Sequence, residues 1–219
     1  MINFIQLGAN RGKTDSDIMW WLVPEKGWNG IFVEPLPDAF EILKEHYTYL
    51  TDSFFEQIAV VGNEKYKKHV AHSLKLTGKR EIGINPKGRI GTASTVCNIK
   101  SNGTDVPAMT LMELLEKYSL KGVEFDLLQI DVEGSDWDIL TSTDFNVALP
   151  KIIRVETIHM SDNQKKSLRK HLGNFDYEEI EDPYWECFAE LVPQHFKNKR
   201  GAPQKPESRG YNTVYRRKN

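Results

Sequence analysis

Apolar and polar positions along the chain switch repeatedly between two periods, and the switches divide it into short strands and helices. INFIQLG (2–8) is an apolar run closed by glycine and predicts a strand. Ile18, Trp21 and Leu22 share a helical face and predict a helix over 14–25. GIFVEP (30–35) predicts a second strand, and Phe40, Leu43 and Tyr47 predict a helix over 38–47. FFEQIAVVG (54–62) reads as a third strand with a turn at Gly62 and Asn63. From 64 to 102 neither period holds; KYKKHVAHSL and INPKGRIGTASTV predict extra strands or a loop over the end of the sheet. Order returns at Thr110, where Glu113 three residues later completes a capping box for a helix reaching Tyr118. FDLLQID (125–131) is almost wholly apolar, as a central parallel strand covered on both faces requires. A helix over 135–142, a strand KIIRVET (151–157) and a helix over 162–172 follow, and YEEIE, YWECFAELV and YNTVYRR close the chain.

Strands alternating with helices from the first residues predict an α/β fold with a mostly parallel sheet. With 219 residues, no internal repeat and no low-complexity linker, residues 1–219 read as one domain. No run approaches the ~20 apolar residues that span a bilayer. The N-terminal MINFIQLGANRG has neither the basic region nor the cleavage site of a signal peptide, so a cytoplasmic protein is expected. Cys97 and Cys187 lie far apart and form neither a disulfide framework nor a metal spacing. The net charge of -2 conceals an asymmetry: from His195 onward 8 Lys or Arg face one acid, so a basic connector (about 195–210) and last strand follow an acidic body.

Chemistry enters at the strand ends. QLGANRG sets Gly8 and Gly12 between the first strand and a helix, where free N–H groups and bare backbone admit a ligand. Any strand-to-helix turn can carry glycine, so Glu34 sharpens the reading: it ends the second strand 22 residues after Gly12, where an acid accepts hydrogen bonds from ribose hydroxyls. Asn10 stands where a dinucleotide fingerprint needs glycine, which disfavours a dehydrogenase and leaves a ribose cofactor without pyrophosphate, such as S-adenosylmethionine. DLLQIDVEGSDWDIL (126–140) then crowds Asp131, Glu133, Asp136 and Asp138 against an apolar run. Asp136 and Asp138 fall in a first helical turn and suit its dipole, whereas Asp131 and Glu133 occupy the strand end and loop.

QLGANRG, VEP (33–35), QIAVVGNE (57–64), MTLMELLEKY (109–118), DLLQIDVEGSDWDIL and RVETIH (154–159) together resemble the FkbM-type S-adenosylmethionine-dependent methyltransferases, in the same order and over essentially the whole chain. The resemblance implies a Rossmann-like class I methyltransferase fold: a seven-stranded, mostly parallel sheet with an antiparallel last strand and helices on both faces. It implies S-adenosylmethionine as cofactor, held by Gln6, Gly8, Asn10, Gly12, Glu34, Pro35, Ala59 and Asp131. It implies O-methylation of a sugar, nucleotide-sugar or glycan hydroxyl. The family usually carries an acid at the position of Gln6, where an amide pulls less on the cofactor's ammonium group. The chain starts at the first strand without the helix that precedes it in many class I enzymes, as in a compact viral version or a domain of a longer polypeptide.

For an alcohol acceptor, Asp131, Glu133 or His159 can remove the proton, with Glu156 facing the same pocket from the next strand. Asp131 and Glu156, with His159, can instead hold Mg²⁺, but nothing in their spacing demands a cation, so the metal-free route is preferred. YWECF (184–188) offers faces for a sugar ring or, equally, core packing. The remaining histidines form no constellation. A catalytically silent, methyltransferase-like interaction domain is the reading from another class, supported by Gln6 alone. An RNA methyltransferase is disfavoured because the body is acidic rather than crossed by a basic stripe. The acceptor and the oligomeric state are not written in the sequence.

Overall fold

The computed structural model describes residues 1–13, 17–62, 73–76, 83–84, 90–91, 104–132, 135–158, 160–184 and 212–218. Its main sheet has seven strands: β1 (Phe4–Leu7), β2 (Gly30–Val33), β3 (Phe54–Glu56), β9 (Glu124–Ile130), β10 (Leu149–Glu156), β11 (Tyr177–Ile180) and β12 (Asn212–Arg217). They lie in the order β11-β12-β10-β9-β1-β2-β3. Neighbours pair in parallel from β10 through β9, β1 and β2 to β3, and β12 runs antiparallel to both β10 and β11. The chain order reverses at β1, with β2 on one side and β9 on the other, and a crevice opens at the carboxyl ends of such a sheet where that reversal occurs.

Helices cover both faces because alternate side chains of every central strand are apolar on both sides. On one face α1 (Ile18–Lys26) and α2 (Pro37–His46) bury Ile18, Met19, Leu22, Val23, Phe40 and Leu43 against Phe4, Phe32, Leu127, Ile152 and Val214. On the other, α3 (Leu111–Lys117), α4 (Asp136–Ser142) and α5 (Asp162–Gly173) pack Leu114, Leu115, Ile139, Leu140, Leu168 and Leu172 on Ile5, Leu7, Leu128, Ile130, Ile153 and Val155. Each such side chain contributes ~1.5–3 kcal/mol when taken out of water.

Local signals set the boundaries. Asp17 caps α1 by accepting the Met19 N–H (2.9 Å), and Gly27 ends that helix in the left-handed region at φ 62°. Pro37 opens α2, where a missing N–H costs nothing. Thr110 and Glu113 form the predicted capping box at α3, and Ser161 with Gln164 forms another at α5.

Two readings change. The run 54–62 is not one strand: β3 belongs to the main sheet, while β4 (Ala59–Val60) leaves it to pair with β8 (Thr104–Met109). Sequence reading also passed over β8, whose Pro107 argues against a strand interior; the residue pairs only with β5 (Ser73–Leu76), on its antiparallel side. The short β6 (Gly83–Ile84) and β7 (Ile90–Gly91) form a separate antiparallel pair. Of the closing run YWECFAELV only Tyr184 is described, edge-on to Trp28; its other residues, both cysteines and the basic connector lie outside the described residues.

Candidate active site

Four adjacent parallel strands reach the crevice with a fixed register. Gln6 pairs with Phe32 on one side and Gln129 on the other, and Gln129 with Arg154. Side chains repeat every second residue, so one step further along the same face stand Glu34, Gly8, Asp131 and Glu156, in that order across β2, β1, β9 and β10. The end of the sheet thus presents acid, glycine, acid, acid in a row.

Gly8 is fixed by sterics as much as by conformation. Its φ is 80°, and a Cβ there would sit 1.9 Å from the Asp131 carbonyl oxygen, so any side chain would push β9 away from β1. The Gly8 and Ala9 N–H groups both donate to the Val33 carbonyl (3.0 and 2.9 Å), which folds the turn over the end of β2. Gly12 has a different reason for being glycine: at φ 73° a Cβ would meet Tyr47 at 2.6 Å and Leu43 at 2.8 Å on α2. Asn10 adopts φ 50°, a conformation asparagine tolerates better than most residues.

Glu34 is buried, and each carboxylate oxygen accepts a backbone N–H: Oε2 from Asn10 (2.8 Å) and Oε1 from Leu36 (2.9 Å). Those bonds orient it toward the Gly8 turn while leaving each oxygen lone-pair capacity for a further donor. Burial outweighs both bonds and raises its pKa to about 7. Asp131 and Glu156 are half-buried at the strand ends, and the Asp131 N–H bonds the Leu7 carbonyl at 3.0 Å. Asp136 does more than complement a helix dipole: at 2% exposure it accepts the Val132 N–H (3.1 Å) and ties α4 to the loop after Asp131. Asp138 is exposed, as a solvated first-turn acid would be. Pro35 is half-buried beside Glu34. Ala59 lies on β4 and is buried with Val61, Val106 and Ala108 against Leu36, away from the main-sheet row. Glu133 and His159 lie outside the described residues.

Sequence reading singled out Gln6 but missed the row it belongs to. Directly below the acids, Gln6, Gln129 and Arg154 interrupt the apolar face at 3%, 4% and 7% exposure. The Arg154 Nη1 donates to Gln129 Oε1 (3.0 Å), and its Nε donates to Asp182 Oδ2 (2.8 Å), both partners being buried at that contact. Gln6 Nε2 donates to Asp17 Oδ2 (3.0 Å). Burial raises the Asp17 pKa to about 6, against the opposing pull of Gln6, Met19 and the Arg154 charge. The signal was a polar residue inside each of three strands that otherwise read as fully buried. Among the described residues no three His, Cys, Asp or Glu side chains cluster as metal ligands, and no helix is long and apolar enough to cross a membrane.

Residues 6–182, from Gln6 to Asp182, match the Methyltransferase FkbM domain family. The chain belongs to the FkbM methyltransferase family. The match takes in Gln6, Glu34, Asp131 and Glu156 as well as the buried row beneath them. No curated protein matches. Among solved structures the chain is similar to a TehB-like SAM-dependent methyltransferase from Corynebacterium glutamicum, at 11% identity and a TM-score of 0.39, covering 99% of this chain and 80% of that one.

Proposed function

We propose that this FkbM methyltransferase transfers a methyl group from S-adenosylmethionine to a hydroxyl of a sugar, nucleotide-sugar or glycan. The observation that carries the reading is the row of Glu34, Gly8, Asp131 and Glu156 at the ends of four neighbouring parallel strands. The residues fit such a cofactor. Glu34 is a fixed acceptor beside a turn that has no side chain at Gly8, as a ribose diol needs, and Gln6 keeps a buried carbonyl oxygen with no partner among the described residues. When bound, the cofactor supplies an electrophilic methyl group on a sulfonium.

This chain's residues do the rest. Glu34 holds the ribose, and the Gly8 turn lets the nucleoside approach the end of β1. Asp131 stands beside Gly8 and accepts the proton of the acceptor hydroxyl while holding its oxygen in line, with Glu156 on the next strand orienting the sugar. Glu133 and His159 stay in the proposal as further bases. Asp131 and Glu156 are also hard ligands suited to Mg²⁺, so chelation is part of the test.

The test is transfer of labelled methyl from S-adenosylmethionine to a panel of free, nucleotide-linked and oligomeric sugars, with and without EDTA. Label on a sugar oxygen supports the reading, and loss with EDTA replaces the metal-free route by a cation-assisted one. Asp131→Ala is expected to lower turnover by ~10²–10⁴-fold, as removal of a general base does, and Asp138→Ala to leave it near normal. Equal effects from both substitutions would remove Asp131 from the chemistry.

A further inference from the structure

We propose that Asn212, the first residue of β12, binds the acceptor: with Glu156 beside it, its amide grips neighbouring hydroxyls of the sugar ring whose reacting oxygen Asp131 orients. The inference rests on the proposed carbohydrate acceptor and adds the subsite that selects the ring.

β12 runs antiparallel to β10, so its amino end rather than its carboxyl end arrives at the crevice, and Asn212 pairs directly with Glu156. Two residues on, Val214 pairs with Arg154 and is buried on the face that α1 covers. Alternation puts Asn212 on that same face, so the row of Glu34, Gly8, Asp131 and Glu156 continues onto a fifth strand. Directly opposite residues of an antiparallel pair hold their Cβ atoms ~4.5–5.5 Å apart, close enough for a carboxylate and an amide to meet one ligand group. Adjacent strands lie ~4.8 Å apart, so Asp131, Glu156 and Asn212 span ~10 Å, which a sugar ring with a hydrogen bond on either side fills. On the opposite face the Thr157 and Thr213 hydroxyls meet at 3.0 Å, which ties the start of β12 to the end of β10 and fixes Asn212 beside Glu156.

The chemistry of the row calls for such a residue. Ionised carboxylates only accept hydrogen bonds, whereas every sugar hydroxyl both donates and accepts. Glu34, Asp131 and Glu156 can therefore take protons from hydroxyls but offer none, and Gly8 has no side chain. Asn212 brings side-chain N–H groups to this row, and its carbonyl oxygen accepts from a second hydroxyl. It is half-buried, and its side chain makes no hydrogen bond to another described residue. The ordinary reasons for asparagine at such a place do not hold: its φ is not positive, and its side chain closes no turn and caps no helix among the described residues. Asparagine is also a poor strand former, so strand propensity does not account for it.

Kinetics on the panel sugar that takes up labelled methyl, and on its deoxy derivatives lacking one hydroxyl next to the methylated position, decide it. Asn212→Ala, and Asn212→Val, which favours a strand, are expected to raise the KM for that sugar about three- to tenfold, the worth of a neutral hydrogen bond. Their kcat and their KM for S-adenosylmethionine are expected to stay within about twofold of wild type, as loss of uniform acceptor binding requires. At least one deoxy sugar is expected to carry the same penalty with wild type and no further penalty with either variant, because the missing hydroxyl and the missing amide are each other's partner. Penalties that multiply for every deoxy sugar, an unchanged acceptor KM, or a fall in kcat as large as the rise in KM overturns the assignment. S-adenosylhomocysteine binding by calorimetry is expected to match wild type in both variants; its loss in both would make Asn212 part of the fold or of the cofactor site instead. Label on none of the sugars with the wild-type protein overturns the carbohydrate reading, and this one with it.

Discussion

Removing the Asp17 charge has a consequence for stability that can be worked from its burial. In the folded chain the carboxyl titrates at about 6 instead of 3.8, because burial outweighs its bonds to Gln6 and Met19 and the attraction of Arg154. The sign follows from proton counts. Between those values the folded state holds the proton that the unfolded chain has released, so stability falls as pH rises through this window and stays lower above it. About two pKa units at ~1.36 kcal/mol each give ~3 kcal/mol in full, of which ~2 kcal/mol falls between about pH 4.5 and about pH 7.5. Asn cannot ionise, so Asp17→Asn is expected to escape that loss. Urea denaturation followed by far-UV circular dichroism at both pH values yields the double difference, in which the other titrating groups, Glu34 included, cancel. A double difference near zero, or a wild type that gains on the variant as pH rises, would refute the burial argument.

Three further substitutions test packing and the polar row. Arg154→Met strands the buried Asp182 carboxylate and is expected to cost ~3–5 kcal/mol, most of it recovered in Arg154→Met combined with Asp182→Leu; a double-mutant cycle by denaturant melts reads both. Gly62→Ala places a Cβ 2.0 Å from the Asp138 carbonyl oxygen and is expected to cost ~1–3 kcal/mol or more, whereas Gly173→Ala meets nothing within 4 Å and is expected to be neutral or slightly stabilising, both measured by calorimetric melting. Thr110→Ala removes the cap of α3 and is expected to lower stability by ~1 kcal/mol, a fall in Tm of ~2–4 °C.

The periodicity of the sequence made most of the sheet legible because the central strands are apolar on both faces. β1, β2, β9 and β10 fall inside their predicted runs to within a residue or two, and Thr110 with Glu113 marks a helix start by its chemistry. What failed was a matter of partners rather than propensity. FFEQIAVVG is one β-type run, but only its first half finds β2, and the second half turns to β8, which no local pattern announces. Glu34 and Asp131 were readable because an acid at the end of an apolar run is conspicuous. Gln129 and Arg154 were not, because their meaning depends on register: polar residues in three separate strands look unrelated until pairing sets Gln6 beside Gln129 and Gln129 beside Arg154.

That register also explains why the sheet tolerates a polar row in its core. An isolated Gln or Arg on a buried face would cost more than its packing returns, and a chain selected only for stability would place Leu or Val there. Here the row lies one step beneath the acids at the crevice. Arg154 is answered by Asp182 and Gln129, the Gln6 N–H by Asp17, and of the row's buried side-chain atoms the Gln6 oxygen is the one without a partner among the described residues. A row satisfied everywhere except at the point nearest the Gly8 turn is costly as scaffold and economical as a binding surface, since the missing donor is the one a ligand brings. Gln6→Leu combined with Asp17→Ser separates the two: it removes the orphaned acceptor together with the carboxylate that its amide serves, keeps a capping oxygen for α1 and fills the space with apolar volume. The expected result is a chain at least as stable as wild type in urea that binds S-adenosylhomocysteine more weakly, whereas a marked loss of stability would mean that the row serves the fold.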